Sequence, residues 1–379
     1  MRKSILAASI LALSAAAANA GGIDRSGQGI GILFEKGRVV ELSYGRVSPD
    51  VSGNDVAIFG GGSSGDVAAG YNQIALAFKM DFGDKLSGAL IIDQPFGADV
   101  LYGPGSVALG GTFARAESTS ITGVLRYKIN TAFSVHGGLR ANRASGEIGL
   151  RGAAYRPAGS PPGSGFDGYT VELADNTAIG YLVGVAYEKP EIALRVALTY
   201  NSDLDHEFDT IETVGGGAVV VGTTPTDVTL PQSVNLDFQT GIAKDTLLFG
   251  QVRWVDWSAF KVDPAFFTPR AGGGLISLDD SITYSIGVGR RFTENWAGSV
   301  SIQYEDDGDP LVSPLAPTNG RFGVTLGAVY TKDNLKISSG INYTWLGDAQ
   351  PETGTPDTAR ADFTDNTSVG IGVRVAYTF

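Results

Sequence analysis

From Val39 to Phe379 apolar side chains recur at every second position, and the recurrence is broken at regular intervals by turn residues. That spacing sends successive side chains to opposite faces of an extended chain. Ile74, Leu76, Phe78 and Met80, for example, are separated by Ala75, Ala77 and Lys79, so one face is greasy and the other is not. Helical i, i+3, i+4 stripes are hard to find. Fourteen alternating segments can be counted, from Val39–Val47 to the last, which carries Val369, Ile371, Val373, Val375, Tyr377 and Phe379.

The connections alternate between short and long. Short turns fall near Asp81 to Lys85, Ile129 to Thr131, Glu188 to Glu191, Lys244 to Thr246, Thr293 to Asn295 and Thr331 to Asn334. Long ones fall near Ser48 to Gly70, Gln94 to Gly111, Asn142 to Gly168, Ser202 to Thr229, Ser258 to Leu278, Asp306 to Gly320 and Gly347 to Asp365. An even strand number, with short turns on one rim and long loops on the other, predicts an all-β, 14-stranded antiparallel transmembrane β-barrel of the Gram-negative outer membrane. On this reading residues 37–379 form the barrel, with seven extracellular loops and six periplasmic turns.

Charge placement agrees, because a cation facing lipid at mid-depth costs about 2–4 kcal/mol while a lumen position is wet. Arg126, Lys128, Arg140, Arg195, Arg253, Arg321, Lys336 and Arg374 all take the parity opposite the apolar row of their own strand, as do Glu41 and Asp237. Arg290 breaks parity beside the Thr293 turn, where a long side chain can snorkel. Aromatics such as Tyr187, Trp254, Trp296, Tyr330 and Trp345 gather at strand ends, as interfacial girdles do.

Residues 1–20 read as a cleaved secretory leader: Arg2 and Lys3, an apolar stretch from Ile5 to Ala17, and the small-x-small site Ala18-Asn19-Ala20. Residues 21–36 then precede the first strand, and two readings stand for them, a short plug in the lumen or a periplasmic tail. The chain has no Cys, which excludes disulfides, thiolate metal sites and cysteine nucleophiles. With a net charge of −12 and no basic run, it offers nothing to nucleic acid.

Several short segments resemble the FadL/TodX-type outer-membrane transporters of long-chain fatty acids and other hydrophobic compounds. These are Leu230-Pro231 opening a strand, Trp254-Val255-Asp256-Trp257-Ser258-Ala259-Phe260, Pro317-Thr318-Asn319-Gly320-Arg321-Phe322 and the terminal Val375-Ala376-Tyr377-Thr378-Phe379. The Asn-Pro-Ala segment common in the family's N-terminal hatch is missing. The resemblance implies a monomer without cofactor that is not an enzyme, embedded among outer-membrane lipids. Phe379, closing an alternating strand, resembles the C-terminal signature of outer-membrane proteins that the barrel-assembly machinery reads, and transport is expected to be passive, since nothing resembles a nucleotide site or an energy-coupling motif.

The resemblance further implies capture of a hydrophobic ligand on external loops, binding in the lumen, and sideways release at a kink in the third strand. Gln94-Pro95-Phe96-Gly97 stands where such a kink would fall. Pro95 removes a ladder donor and Gly97 loosens the strand, so Pro95, Phe96 and Gly97 either open the wall or begin a loop. Arg126, Arg140, Arg195, Arg253 and Arg321 could each grip a carboxylate, or could pair with Glu41, Asp237 or the plug. Phe249, Val255 and Trp257 share the inward parity of Arg253 and offer apolar surface. In the loops, Val219, Val220 and Val221, with Phe266 and Phe267, are capture candidates, or else pack on one another.

A diffusion porin for small polar solutes is the alternative function, and an exported soluble β-protein a third. The first would favour 16 or 18 strands; the second would need a polar exterior. Catalysis finds little support, since His136 and His206 are the only histidines and no Ser stands in an elbow motif. The acidic runs at Asp203–Asp209 and Glu305–Asp309 lack EF-hand spacing, so no metal site is expected.

Overall fold

The computed structural model describes residues 23–354 and 356–379. The expected leader, with its Ala18-Asn19-Ala20 site, lies outside the described residues. Fourteen long strands form one closed sheet: β1 (Val39–Asp50), β2 (Tyr71–Asp81), β3 (Leu86–Asp93), β4 (Phe113–Lys128), β5 (Phe133–Leu150), β6 (Tyr169–Lys189) and β7 (Leu194–Asn201), followed by β8 (Ser233–Ala243), β9 (Thr246–Val255), β10 (Ser281–Arg291), β11 (Trp296–Glu305), β12 (Asn319–Lys332), β13 (Leu335–Gly347) and β14 (Thr367–Thr378). Each runs antiparallel to its neighbours, and β1 pairs with β2 on one side and β14 on the other, so the sheet closes on itself. Closure is what a sheet needs in lipid, where an unpaired N–H or C=O finds no water.

The two faces of the wall differ sharply. On β4 to β6 the outward Ile121, Leu125, Leu139 and Ile179 are 50–73% exposed, whereas the inward Thr122, Arg126 and Arg140 are 4% or less exposed. A soluble protein does not leave so broad an apolar belt in water, so the belt marks a lipid-facing exterior. Aromatic pairs close its margins, with Trp296 against Tyr330 and Phe133 against Tyr187 at the turn end. Phe322 and Tyr343 flank Trp345 at the loop end.

The main apolar core lies at the loop end of the barrel rather than within the membrane belt. Val51, Val67, Tyr102, Leu109, Tyr169, Leu204, Phe208, Trp257 and Phe363 belong to one buried cluster there. The long connection after β7 contributes two pieces to it. Leu204–Phe208 pairs with Thr226–Leu230, and Thr210–Val214 pairs with Val219–Gly222 while extending the ladder of β6.

Two expectations are corrected. The loop placed at Asn142 to Gly168 is shorter, because β5 runs to Leu150 and β6 begins at Tyr169. The alternation inverts at Ala174-Asp175, where the β5–β6 register skips two residues; above that bulge Tyr169, Val171 and Leu173 face inward, while below it Ile179 and Tyr181 face lipid. Trp257, expected to continue the inward row of β9, sits instead in a short 3-10 turn beyond the end of that strand.

The Asn319-Gly320-Arg321-Phe322 segment acquires a physical role here. Asn319 Oδ1 accepts the Gly308 N–H at 2.8 Å, and Arg321 pairs with Glu305 at 3.1 Å, so the segment ties the loop between β11 and β12 to the wall. Gly320 has φ +53°, and a Cβ there would fall 1.9 Å from Asp307 Oδ1. We expect Gly320→Ala to lower stability by about 1–3 kcal/mol, from left-handed strain plus the clash. The urea midpoint of the refolded barrel measures it, and an unchanged midpoint would refute the assignment.

Candidate transport site

The ladder is interrupted on β6, between Leu182, the last residue paired with β7, and Leu173, where pairing resumes with Thr210–Val214, and again beside β3. Ladder pairing between β2 and β3 stops at Leu76 with Ile92. Pro95, lacking an N–H, cannot continue it. The chain resumes at Gly97–Leu101, which pairs with β4 alone among the long strands. Phe96 has turned inward: Ser118 Oγ accepts its N–H at 2.9 Å and donates to its carbonyl at 2.8 Å, replacing lost ladder partners. Gln94 spans part of the break, accepting the Ile74 N–H on its side chain and the Gln73 amide on its carbonyl.

Residues 23–36 run along the inside of this wall. Asp24 forms an antiparallel bridge with Phe96, Arg25 N–H donates to the Pro95 carbonyl at 2.7 Å, and Gly97 N–H donates to the Ile23 carbonyl at 2.8 Å. Ser26 Oγ donates to Asp93 at 2.6 Å. Further along, Asn235 donates to the Gly27 carbonyl and Ser233 to Gln28 Oε1. Ile30, Ile32 and Leu33 pack on Ala77, Ala89, Ile91, Val124 and Leu182. Phe34 lies between two guanidinium groups, 4.6 Å from Arg126 and 4.7 Å from Arg195, with the His136 ring edge-on.

Two cavities flank this segment. The larger, about 330 Å³, is mixed in character: Ser43, Gln239, Gln251, Ser285, Gln303 and Thr325 line it with Arg195, Arg253 and Arg321, and so do Ile30, Ile32, Phe34, Ile91 and Phe249. The smaller, about 70 Å³, is apolar and lies at the loop end, walled by Ile23, Phe96, Ala98, Ala144, Ile148, Leu173, Phe208, Val228 and Phe260. Phe96 is therefore shared between the interrupted wall and the apolar chamber. Trp257, fully buried, buttresses it edge-on at 6.0 Å.

The five arginines fare differently. Arg253 is fully engaged, with Asp24 at 2.7 Å, Asn235 at 2.7 Å and contacts to Ser233 and Gln28. Arg126 pairs with Glu188, and Arg321 with Glu305. Arg140 donates to Thr122 and Arg195 stacks on Phe34, without a carboxylate in salt-bridge range among the described residues. In the loops, Val219 and Val220 are exposed and Val221 is half-buried. Phe267 is buried against Phe166 and Tyr169, while Phe266 is half-buried beneath Arg270. Both Phe residues are positioned by the buried Glu212 carboxylate, which accepts their N–H groups at 2.8 and 3.0 Å and the Tyr169 hydroxyl.

Of the residues expected from the sequence, Pro95, Phe96 and Gly97 meet at the interruption and Trp257 joins them. Asp24, Arg25, Gln28 and Ser118 went unnoticed, because nothing local marks them; their partners lie tens to hundreds of positions away. His136 bonds to the Thr199 hydroxyl, with no partner on its other ring nitrogen among the described residues, and His206 bonds to Asn142 and Asn176. No cluster of metal-ligating side chains occurs among the described residues.

A closed lipid-facing barrel with an apolar chamber at its loop end belongs to the outer-membrane transport proteins. Residues 32–379 match the family described as outer membrane protein transport protein (OMPP1/FadL/TodX), and the chain belongs to that family. Among solved structures it is similar to a FadL homologue of Pseudomonas aeruginosa (15% identity, 92% of each chain, TM-score 0.69). It is also similar to the P. putida toluene transporter TodX (15%, 91% of each chain, TM-score 0.63) and the Ralstonia pickettii toluene transporter TbuX (16%, 92% of this chain and 90% of that one, TM-score 0.63). No curated protein matches. Family members move hydrophobic compounds across the Gram-negative outer membrane, and this barrel is built to that plan.

Proposed function

We propose that the protein is a passive channel for compact, uncharged hydrophobic molecules, taken up at the loops, held in the apolar chamber and released sideways between β2 and β3. The observation that carries this reading is the contact of an apolar chamber, at Phe96, with the interrupted β2–β3 ladder. In the lumen below, Ser, Gln, Thr and Arg stand among the apolar side chains, so a hydrophobic ligand recovers only part of its transfer free energy there, whereas the gap leads to hydrocarbon. Residues 23–36 act as the plug that denies the polar path.

Size and charge support a small neutral ligand. A dry cavity of about 150 Å³ takes benzene; the chamber, at about 70 Å³, holds less than half that, so a single ring enters only when loop side chains shift, and a long acyl chain would demand a far larger rearrangement. Arg115, the lone cation among the chamber's wall residues, faces Glu147 at 3.5 Å. Long-chain fatty acids are the second reading, favoured by Arg140 and Arg195, which have no carboxylate within salt-bridge distance among the described residues.

Toluene and hexadecanoate binding to the refolded barrel, with conductance in a planar bilayer, tests this. Saturable toluene binding with little steady conductance is expected. Tighter hexadecanoate binding would favour the fatty-acid reading. A large steady conductance without binding of either would favour a diffusion porin.

A further inference from the structure

We infer that Arg25 is the bolt of the wall gap, its guanidinium being the group that swings aside before a ligand passes from the barrel into the bilayer. The inference rests on the sideways path proposed above and adds the residue that governs it. The gap is the space between Tyr71–Ala75 of β2, which have no strand partner on this side, and the Gln94–Gly97 stretch. Backbone bonds fasten residues 23–26 to the Pro95–Gly97 side only. Arg25 extends from that fastened segment toward β2, where its Cζ stands 4.1 Å from the centre of the Tyr71 ring.

The space for this crossing is provided by a missing side chain. A Cβ on Gly97 would lie 2.5 Å from Arg25 Cζ, and Gly97 has no positive φ to require glycine. Its need is for room, and the guanidinium is what fills the room. Arg25 Nε is shut off from solvent and has no hydrogen-bond acceptor among the described residues. The side chain is held by shape, by a cation–π contact and by the more distant charges of Glu117 and Asp99, a weaker and less directional hold than a paired carboxylate would give. A side chain held this way can leave while the backbone bridge at Asp24 and Phe96 stays zipped, so the gap opens without dismantling the plug.

The test uses the full-length barrel in liposomes. A fluorescent neutral aromatic probe is added outside, and its affinity for the barrel and its rate of arrival in the bilayer are measured separately. Arg25→Ala should leave the affinity unchanged and raise the transfer rate about three- to tenfold, the range set by one cation–π contact. Tyr71→Leu removes the ring and should act in the same direction. Gly97→Val puts a side chain where the guanidinium lies and should displace it. Circular dichroism and gel mobility confirm that each variant is a folded barrel.

Transfer by the wild type that Arg25→Ala and Tyr71→Leu leave unchanged would overturn the bolt and spare the sideways path. Binding by the wild type followed by appearance of the probe only in the enclosed volume would overturn the path itself. A rise in affinity that fully accounts for the faster transfer would also count against the bolt, since a gate alters rate alone.

Discussion

Removing residues 23–36 should turn a nearly closed barrel into an open, ion-conducting pore. Below the chamber the lumen is lined by Gln239, Gln251, Ser285, Gln303 and Thr325, all able to hold water, so only the segment crossing it keeps ions out. The segment is held at both ends: Asp24 and Gln28 grip Arg253 near the gap, and Phe34 is clamped by Arg126 and Arg195 at the turn end. Removing Asp24 alone leaves Arg253 buried beside an empty place, and truncation of one partner in such a pair costs about 3–5 kcal/mol where no water reaches it. Single-channel recording gives the answer directly. Wild type should show low, intermittent conductance; the deletion should show a steady ohmic level, and Phe34→Ala bursts between the two. If the deletion stays closed, the packed loops carry the barrier and the plug reading fails.

Much of this barrel could be read from sequence because lipid makes the same demand on every strand. A residue at mid-depth either faces hydrocarbon or faces the lumen, so the parity of Ile121 against Thr122, or Leu139 against Arg140, is visible locally. The strand total, the two rims and the belt of aromatic residues all follow from that constraint. The constraint ends at the membrane surface. Above it Tyr169, Val171 and Leu173 turn inward beneath the loops, and the bulge at Ala174-Asp175 that inverts the pattern leaves no mark in hydrophobicity. The chamber was hidden for the same reason: its walls come from three long strands, four loops and the N-terminal segment, and only folding brings Ile23 to Phe96.

The arginines show a different limit. Their inward direction was legible, but their employment was not. Arg253 and Arg195 stand at equivalent parity on β9 and β7, yet Asp24 sits against one and an aromatic ring against the other. Which cation is spent on structure depends on where a segment more than 200 residues away crosses the lumen. The Pro95-Phe96-Gly97 stretch, by contrast, announced a break through covalent geometry alone, since proline has no N–H to give a neighbouring strand. What it could not announce was the caulking of that break by residues 23–26.

Ile148→Arg should reverse the ligand preference of the chamber. Ile148 is 8% exposed, points inward from β5 between Ala114 on β4 and Val171 on β6, and lines the apolar cavity. A guanidinium placed there remains charged, because arginine does not give up its proton even in apolar surroundings. Bound beside a neutral ring it would be buried without an acceptor, so toluene should bind at least tenfold more weakly. A ligand carrying a carboxylate would instead satisfy it, and a charge-assisted pair of about 1.5–3 kcal/mol raises affinity roughly ten- to hundredfold. Ile148→Met, close in volume and uncharged, should preserve the original order and separates charge from shape. Competition between toluene and benzoate on the three proteins measures the switch. Should the arginine variant keep toluene binding at the wild-type level and gain nothing for benzoate, the chamber is not where the ligand rests, and Arg140 and Arg195 in the lumen below become the place to look.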